Sequence, residues 1–328
     1  MIGKRIHIIF NPASAGGRTH ERQSRILDEI EKYFGKDYSL WITKKPLDAG
    51  VFSGYAVKSG CELLIVVGGD GTIQEAVNGM MSSESFNLNS CVLGIISSGT
   101  GQGFAQSLSL PSTIEEQIKI IGEGYSKSID LGCVSFFKNN KIHSRYFVNE
   151  FQAGIGGAVC AGVSQRQKRT GGKIAFGLGT ISTALKYPNQ KLILTVDGRT
   201  EITNQFTGIV VGNGKFTGGG MKLTPLSDLN DGYLDLLLIN KQTRLQRLIS
   251  FSKIYSGRHV NSKFFDYRFI REVKIESDED VPLEADGEIL GSLPCKVEVV
   301  QSAISVLVPK YEGEKNEKFY EEFSEAGI

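Results

Sequence analysis

The sequence predicts an α/β domain built on a parallel β-sheet, followed by a second domain that is mainly an antiparallel β-sandwich. In the first part of the chain, three apolar strands each end in a loop of small residues that leads into a helix, which is the pattern of a parallel sheet. Later strands are short, β-branched and separated by turn residues, as in an antiparallel sandwich. We therefore predict a first domain over 1–132 and a second over 133–309.

The first domain begins with an apolar strand at 6–10. Ile26, Ile30 and Phe34 then recur at helical spacing, and Gly35 ends the predicted helix. The remaining predicted elements are a strand at 39–42, a helix at 48–59, strands at 63–67 and 91–96, and helices around 73–80, from 104 and around 114–121. Because ligands of parallel sheets bind beyond the carboxyl ends of the strands, the three small-residue loops are expected at one edge.

In the second domain, two β-branched runs at 192–196 and 207–211 flank Asp197-Gly198, a typical hairpin turn. Further predicted elements are strands at 233–239, 273–276, 283–290 and 296–308, and one helix at 242–256. The charged segment 310–328 either packs back on the first domain as a helix or frays.

Composition excludes several classes of protein. A formal net charge of +1 gives no general attraction to nucleic acid, so no nucleic-acid partner is expected. The five cysteines are scattered and odd in number, which favours reduced thiols in a cytoplasmic protein over a disulfide framework or a zinc site. No stretch approaches the roughly 20 apolar residues of a transmembrane helix, and the N-terminus lacks the long apolar region of a signal peptide.

The sequence Gly68-Gly69-Asp70-Gly71-Thr72 lies between a buried strand and a helix. Glycines allow close backbone approach to a ligand, and a helix N-terminus offers unpaired N–H groups. This combination suits phosphate oxygens, with the carboxylate of Asp70 beside them. The alternative is a tight strand-to-helix turn in which Asp70 and Thr72 only cap the helix.

Five ordered motifs make the chain resemble the diacylglycerol kinase catalytic-domain family, which includes bacterial lipid kinases and the sphingosine and ceramide kinases. The motifs are Asn11-Pro12-x-Ser14-x-Gly16-Gly17, Gly68-Gly69-Asp70-Gly71-Thr72 with Glu75 and Asn78, Gly99-Thr100-x-x-x-Phe104-Ala105, Leu223-Thr224-Pro225 with Asn230-Asp231-Gly232-Tyr233-Leu234-Asp235, and Glu284-Ala285-Asp286-Gly287-Glu288. They extend from residue 6 to about 308. A lone GGDG is shared with NAD kinases and phosphofructokinases, so the first domain is expected to resemble those enzymes.

The resemblance implies an enzyme that binds ATP with Mg²⁺ between its two domains and transfers the γ-phosphoryl group to a lipid hydroxyl. It places Asp70, Asp286 and Glu288 at the reacting centre. Phosphoryl transfer needs a carboxylate near the attacking hydroxyl, and Asp70 and Asp286 are both candidates for this general base. A plain hairpin turn is the alternative role for Asp286-Gly287.

The resemblance also implies a nucleotide site and a structural magnesium site. The nucleotide residues would be Asn11, Ser14, Gly16, Gly17, Arg18, Gly68, Gly69, Gly71, Thr72, Glu75, Ser98, Gly99, Thr100 and Arg169. Arg169 belongs to a run of basic residues that can equally be an ordinary solvated face. The magnesium would be bound by Asp231 with the carbonyls of Asp228 and Tyr233, although a turn explains this loop equally well.

One motif departs from the family pattern. Bacterial diacylglycerol kinases usually have Asn-Asp-Phe where this chain has Gln102-Gly103-Phe104, so the carboxylate of that loop is missing. The acceptor is therefore expected to be diacylglycerol or a sphingoid-type lipid. Two alternatives remain. One is a soluble kinase similar to NAD kinase, and the other is a non-catalytic sensor of a nucleotide or a lipid.

Basic and apolar residues alternate in the predicted helix 242–256. Such a helix can lie on an anionic membrane surface. An enzyme that associates peripherally with the membrane would bind its lipid substrate there. More commonly, a helix of this kind packs its apolar face into the protein core. The sequence leaves the oligomeric state open, a homodimer included.

Overall fold

The computed structural model describes residues 5–83, 91–167, 182–183 and 185–310. The strands are β1 Ile6–Phe10, β2 Ser39–Ile42, β3 Leu63–Gly68, β4 Val92–Ser97, β5 Ser126–Lys138, β6 Lys141–Phe147, β7 Glu150–Gly154, β8 Gln190–Val196, β9 Thr200–Gly212, β10 Leu234–Asn240, β11 Phe265–Ile270, β12 Glu272–Glu276, β13 Pro282–Ala285, β14 Glu288–Ser292 and β15 Cys295–Leu307. The α-helices are α1 Arg18–Glu21, α2 Gln23–Phe34, α3 Asp48–Lys58, α4 Asp70–Met81, α5 Gly103–Ser107, α6 Ile114–Glu123, α7 Ile155–Gln167 and α8 Arg244–Ile254. Arg169 and the predicted helix within 311–328 lie outside the described residues.

The first domain contains a parallel sheet in the strand order β2–β1–β3–β4. Every residue of β3 is buried, because successive side chains of a strand point to opposite faces and both faces are covered. Ile8 packs with Ile26 of α2 and Ile118 of α6 on one face. Ile9 packs with Ile73 of α4 on the other face. The predicted parallel α/β domain is confirmed.

The second domain is built from antiparallel pairs, in the order β13–β7–β9–β8–β12, with β10 attached to β9 and β11 attached to β10. Its core is formed by large apolar side chains such as Phe151, Leu194, Phe206 and Leu236. The 13-residue strand β9 pairs with β8 along its first half and with β7 and β10 along its second half, so it turns the corner of the sandwich. The predicted mainly antiparallel sandwich is confirmed.

Two long strands connect the domains. β5 and β15 pair along most of their length, and β15 also pairs with β12 of the sandwich at its start. At its end, Ser305 and Val306 pair in parallel with Val92 and Leu93 of β4. The chain therefore returns to the sheet of the first domain within the range predicted for the second.

Local differences from the predicted elements have physical causes. The predicted strand 283–290 is two strands, because Asp286 and Gly287 adopt left-handed backbone angles, with φ of 46° and 83°, and reverse the chain. β6 was not predicted, since its first residues are polar and exposed. The helix α7 was not predicted because its small residues give little apolar periodicity. Among the described helices, none is long and apolar enough to cross a membrane.

Candidate active site

The loops that follow β1, β3 and β4 contact each other at one edge of the parallel sheet, as predicted. Asn11 Nδ2 donates a hydrogen bond of 2.8 Å to Thr72 Oγ1, which joins the first loop to the second. The hydroxyls of Ser14 and Ser98 lie 3.0 Å apart and join the first loop to the third. Ser98 N donates to Gly68 O at 2.9 Å. Short polar side chains and backbone groups therefore hold the three loops together without a ligand.

Gly69 and Gly99 bring the backbones of the second and third loops close together. A Cβ atom added at Gly99 would lie 2.7 Å from Gly69 Cα, closer than Cβ atoms come in real structures. Any side chain at Gly99 must therefore push the second and third loops apart.

For the ATP-dependent activity that the sequence resemblance implies, Gly99→Ala is expected to raise KM for ATP by about tenfold, because loop displacement of this kind costs on the order of 1.4 kcal/mol in a tightly packed site. The measurement is the ATP dependence of phosphoryl transfer. Gly291→Ala is the control, since a Cβ there would meet its nearest atom at 3.8 Å, an ordinary contact. Equal KM values in the two variants would contradict the prediction.

A polar hollow of about 140 Å³ lies between the first and third loops. Its lining includes Arg18, Arg22, Ser98 and Gly99. Arg18 Nε donates to Ala15 O at 3.1 Å, which fixes the stem of this side chain against the first loop. Arg22 was not singled out from the sequence. Two guanidinium groups beside backbone N–H groups make this hollow suitable for phosphate oxygens.

The first loop contains left-handed backbone at Ala15, Gly16 and Gly17, with φ of 53°, 69° and 92°. Gly16 and Gly17 adopt these angles at no steric cost, and nothing lies within 4 Å of a Cβ added to either. The two glycines therefore form the open turn that the motif predicts.

Asp70 begins α4, but its carboxylate does not cap that helix. It accepts hydrogen bonds from Gly103 N at 3.2 Å and from Phe104 N at 3.3 Å, at the start of α5. Burial raises the pKa of Asp70, and these N–H bonds act in the opposite direction. The alternative in which Asp70 and Thr72 only cap α4 is wrong, because no side chain caps this helix and Thr72 accepts from Asn11.

Asp286 lies in the turn between β13 and β14, and its carboxylate holds the chain just before β7. It accepts hydrogen bonds from the backbone N–H groups of Val148, Asn149 and Glu150 at 2.7, 2.9 and 3.1 Å. Burial raises the pKa of Asp286 to about 7 against the opposing effect of these three bonds. Asp286 therefore has the turn role, and it lines a cavity together with Asp70, while its place at a reacting centre stays a prediction.

A cavity of about 410 Å³ extends from Asp70 into the second domain. Four carboxyl groups line one part of it, those of Asp70, Glu150, Glu284 and Asp286. The rest of the wall is mostly apolar and includes Ile155, Val159, Leu185, Leu223, Ile239, Leu248, Phe251, Ile254 and Phe265. An elongated apolar molecule with a polar head matches this distribution of surface.

Glu150 was not singled out from the sequence, and Glu284 was named only as part of its motif, although each stands in an apolar strand where a glutamate is rarely buried. Thr217 Oγ1 donates to Glu150 Oε1, and Gly287 N donates to Glu284 Oε2 at 2.9 Å. Burial raises the pKa of both groups, that of Glu284 to about 8, and the nearby carboxyl groups raise them further. The surroundings of both carboxyl groups therefore favour the protonated form over the ionised form.

Glu288 lies close to Glu75. Arg145 Nη2 donates to Glu288 Oε2 and, at 2.7 Å, to Gln74 Oε1. Burial and the charge of Glu288 raise the pKa of Glu75. Glu288 also interacts electrostatically with Cys160, which lines the cavity, and its place at a reacting centre stays a prediction.

The predicted magnesium loop is held by its own hydrogen bonds. Asp231 Oδ1 accepts from Tyr233 N at 2.9 Å, and Asp228 forms an ion pair with Lys127 at 3.5 Å. Asp130 Oδ2 accepts from Gly232 N at 2.8 Å. In the described part of the chain, no group of three His, Cys, Asp or Glu side chains is placed to hold a metal ion. The side chains of this loop do not form a magnesium cage, and the site at Asp228, Asp231 and Tyr233 stays a prediction that depends on carbonyl ligands.

The helix α8 presents apolar side chains to solvent, so the expectation that its apolar face packs into the core is wrong. Leu245, Leu248 and Ile249 are 69, 48 and 52% exposed. Arg247 is buried instead, where it donates to Tyr187 O and, at 2.8 Å, to Asn189 Oδ1. Because Leu248 is half-exposed and also lines the cavity, the cavity reaches the surface at this helix.

Two protein families match the chain in sequence. Residues 5–134 match the diacylglycerol kinase catalytic domain, and residues 150–308 match the YegS C-terminal domain, described as NAD kinase β-sandwich-like. A diacylglycerol kinase of Staphylococcus carnosus is 30% identical over 307 residues, covering 94% of this chain and 96% of that protein. A diacylglycerol kinase of Bacillus subtilis is 28% identical over 313 residues, covering 95% and 99%.

The fold also resembles solved structures of similar size. A crystal structure of a putative diacylglycerol kinase from Bacillus anthracis matches with a TM-score of 0.77 at 25% identity, covering 93% of this chain and 95% of that one. A second structure from the same organism, also of a putative diacylglycerol kinase, matches with a TM-score of 0.74.

Proposed function

The chain belongs to the diacylglycerol kinase family of lipid kinases, and from that premise we propose that it transfers the γ-phosphoryl group of Mg-ATP to the hydroxyl of a diacylglycerol or sphingoid-type lipid. The observation that carries this proposal is the cavity, which joins an apolar wall to the carboxylate of Asp70. An apolar chain would occupy the wall, and the hydroxyl of the same lipid would then lie beside Asp70.

Asp70 is the proposed general base. Its two hydrogen bonds, at 3.2 and 3.3 Å, are long, so its oxygens retain lone pairs for a substrate hydroxyl. Asp286 accepts three shorter bonds from the backbone, which occupy its oxygens and favour a positioning role. In the reaction the lipid oxygen attacks Pγ, the bond from Pγ to the leaving ADP oxygen breaks, and the proton of the lipid hydroxyl passes to Asp70.

The nucleotide phosphates are proposed to bind at the three loops and in the hollow lined by Arg18 and Arg22. Arginine offers paired N–H donors to phosphate oxygens, and the backbone N–H groups of small-residue loops supply further donors. Mg²⁺ would enter as part of the Mg-ATP substrate. Its charge offsets that of the phosphates during transfer.

The apolar cavity weighs against a soluble kinase similar to NAD kinase. NAD carries two phosphates and two sugars, and a wall lined by leucine, isoleucine and phenylalanine offers these groups no hydrogen bonds. The second alternative, a sensor without catalysis, is suggested by the missing carboxylate at Gly103. That absence does not imply that the protein is inactive. A Cβ there would lie 2.7 Å from Phe216 O, so the backbone of the second domain fills the space of a side chain at this position.

The test is transfer of labelled γ-phosphate from Mg-ATP to detergent-dispersed diacylglycerol, monoacylglycerol, sphingosine, ceramide and phosphatidylglycerol, with NAD as a soluble acceptor. Label in at least one lipid is the expected result. Label in NAD alone would favour the NAD kinase-like alternative. ATP binding without any labelled acceptor would favour a sensor.

The exposed face of α8 is the proposed site of contact with the membrane that carries the lipid. Its apolar residues Leu245, Leu248 and Ile249 stand among exposed basic residues, namely Lys241, Arg244, Lys253 and Arg258. Apolar side chains that enter the interface beside cations that attract anionic headgroups are the usual features of peripheral binding. Arg247 does not take part, because it is buried.

Replacing Leu245 and Ile249 together by Asn is expected to lower activity on anionic vesicles by about tenfold, since the apolar area that enters the interface is lost. Activity on detergent-dispersed substrate should change by less than about twofold. Val51→Asn is the matched control, because Val51 is 67% exposed on α3 of the first domain. Equal losses in vesicles and detergent would contradict membrane contact at α8.

A further inference from the structure

We propose that the carboxyl-lined part of the cavity binds a protonated amine, so that the acceptor lipid carries an amino group close to the hydroxyl that is phosphorylated. This inference rests on the proposed lipid kinase function and names the class of its acceptor. It is carried by two unpartnered buried acceptor atoms, by the charges around them and by the shape of the cavity.

The first observation concerns Glu150, at the start of β7. The residue is 4% exposed and lines the cavity. Its Oε1 atom accepts from Thr217, but its Oε2 atom has no hydrogen-bond partner among the described residues. A buried carboxyl oxygen without a partner is costly, so a ligand that donates to it would bind with a corresponding gain.

A second unpartnered acceptor lies next to it in the chain. Asn149 is also 4% exposed and lines the cavity, and its Oδ1 atom has no partner among the described residues. An ammonium group has three N–H donors and no acceptor, which suits two free oxygens better than a hydroxyl with its single donor.

The third observation is the charge of the surroundings. Asp70, Glu284 and Asp286 line the cavity with Glu150 and interact with it electrostatically. Arg247 is the basic side chain among the described lining residues, and it is bound to Tyr187 O and Asn189 Oδ1. Among the residues that the structure describes, the lining of the cavity thus places four carboxyl groups together with no free cation beside them, and a positively charged ligand would allow some of them to ionise.

A metal ion fits this place less well than an amine. Among the described residues, no three acidic, histidine or cysteine side chains are placed to ligate one ion. Mg²⁺ needs six oxygen ligands in a compact octahedron, and the remaining cavity wall is mostly apolar. An ammonium group on an alkyl chain matches both parts of the cavity. The ammonium group would bind the carboxyl groups, and the alkyl chain would pack against the apolar wall.

The position of the amine also orients the acceptor. Asp70 lines the same cavity and interacts electrostatically with Glu150, so an amine at Glu150 Oε2 and a hydroxyl near Asp70 must lie close together in one acceptor. The hydroxyl oxygen then attacks Pγ of ATP, its proton passes to Asp70 and ADP leaves, while the ammonium group is unchanged. A long-chain 2-amino alcohol is the chemical class that meets both conditions.

The experiment compares two acceptors that differ only at nitrogen. A long-chain 2-amino-1,3-diol and its N-acetyl derivative are supplied in the same detergent micelles with Mg-ATP, and kcat/KM is measured for each. The wild-type protein is expected to favour the free amine by about 100-fold, the effect of a buried ion pair. In Glu150→Gln the rate with the free amine should fall by about 50-fold, and that with the N-acetyl lipid by less than about threefold.

Control variants and a binding measurement complete the test. Glu201→Gln, at an exposed position on β9, should leave both rates unchanged. Glu150→Asp keeps the charge and should keep the preference for the amine. Dodecylamine, which has no hydroxyl to phosphorylate, should bind the wild-type protein in calorimetry and fail to bind Glu150→Gln.

Equal wild-type rates with the two lipids would overturn the inference, even if Glu150→Gln failed to fold. If diacylglycerol were phosphorylated and neither the free amine nor its N-acetyl derivative were, the inference would be overturned but the lipid kinase function would stand. No phosphorylation of any lipid would overturn the proposed function itself. Binding of Mg²⁺ alone that depends on Glu150 would show a metal site in place of the amine site.

Discussion

Replacement of Asp70 by Asn is expected to lower kcat for lipid phosphorylation by about 10³-fold, within the range that a positioned general base contributes. Asn cannot accept the proton of the attacking hydroxyl. Its amide oxygen can still accept one of the two N–H bonds from the start of α5, so the loop should keep its shape. The measurement is the initial rate of γ-phosphoryl transfer at saturating ATP and lipid.

Asp286→Asn is the matched comparison, since both carboxyl groups line the same cavity. The Asp286→Asn variant should be less stable and should have a higher KM for the lipid, because Asp286 holds the backbone before β7. If Asp70→Asn kept more than about a tenth of wild-type kcat while Asp286→Asn lost about 10³-fold, the base would be Asp286. Unchanged ATP binding in both variants would confirm that the comparison reports on chemistry.

Replacement of Glu284 by Gln is expected to stabilise the protein at alkaline pH. Burial raises the pKa of Glu284 to about 8, so the folded protein holds a proton that the unfolded chain releases above its ordinary pKa. Between the ordinary pKa of a glutamate and about pH 8, the folded state binds more protons than the unfolded state. The free energy of unfolding therefore falls as pH rises through this range. The loss is at most about 1.4 kcal/mol per pH unit for each such group.

Between pH 5.5 and 8, the advantage of Glu284→Gln over wild type should therefore grow by about 2–3 kcal/mol. The measurement is the free energy of unfolding in urea at the two pH values. Glu276→Gln, at an exposed position on β12, is the control and should follow the wild type. An advantage that is the same at both pH values would mean that the proton of Glu284 is not coupled to folding.

Much of the fold and of the loop edge could be predicted, because both depend on local sequence. Buried strands such as β1 are continuous apolar runs, and the glycines beside Asp70 mark the point where β3 ends and α4 begins. Parallel strands then bring their loops to one edge by geometry. The contacts of Asn11 with Thr72 and of Ser14 with Ser98 follow from that arrangement.

The cavity could not be predicted in the same way, since it depends on contacts between distant segments. Glu150, Glu284 and Asp286 meet only after β7 and β13 pair. Arg247 is buried because Tyr187 O and Asn189 lie opposite it, and no periodicity within α8 encodes those partners. The apolar residues of α8 therefore face solvent, contrary to the usual pattern of a surface helix.

The ribbon formed by β5 and β15 limits how the two domains can move. β15 starts beside β12 in the sandwich and ends beside β4 in the parallel sheet, with β5 paired to it on the way. A wide hinge rotation would have to bend this ribbon and break its backbone hydrogen bonds. The proposed lipid acceptor should therefore enter and leave past α8, where the cavity reaches the surface, without a wide opening between the domains.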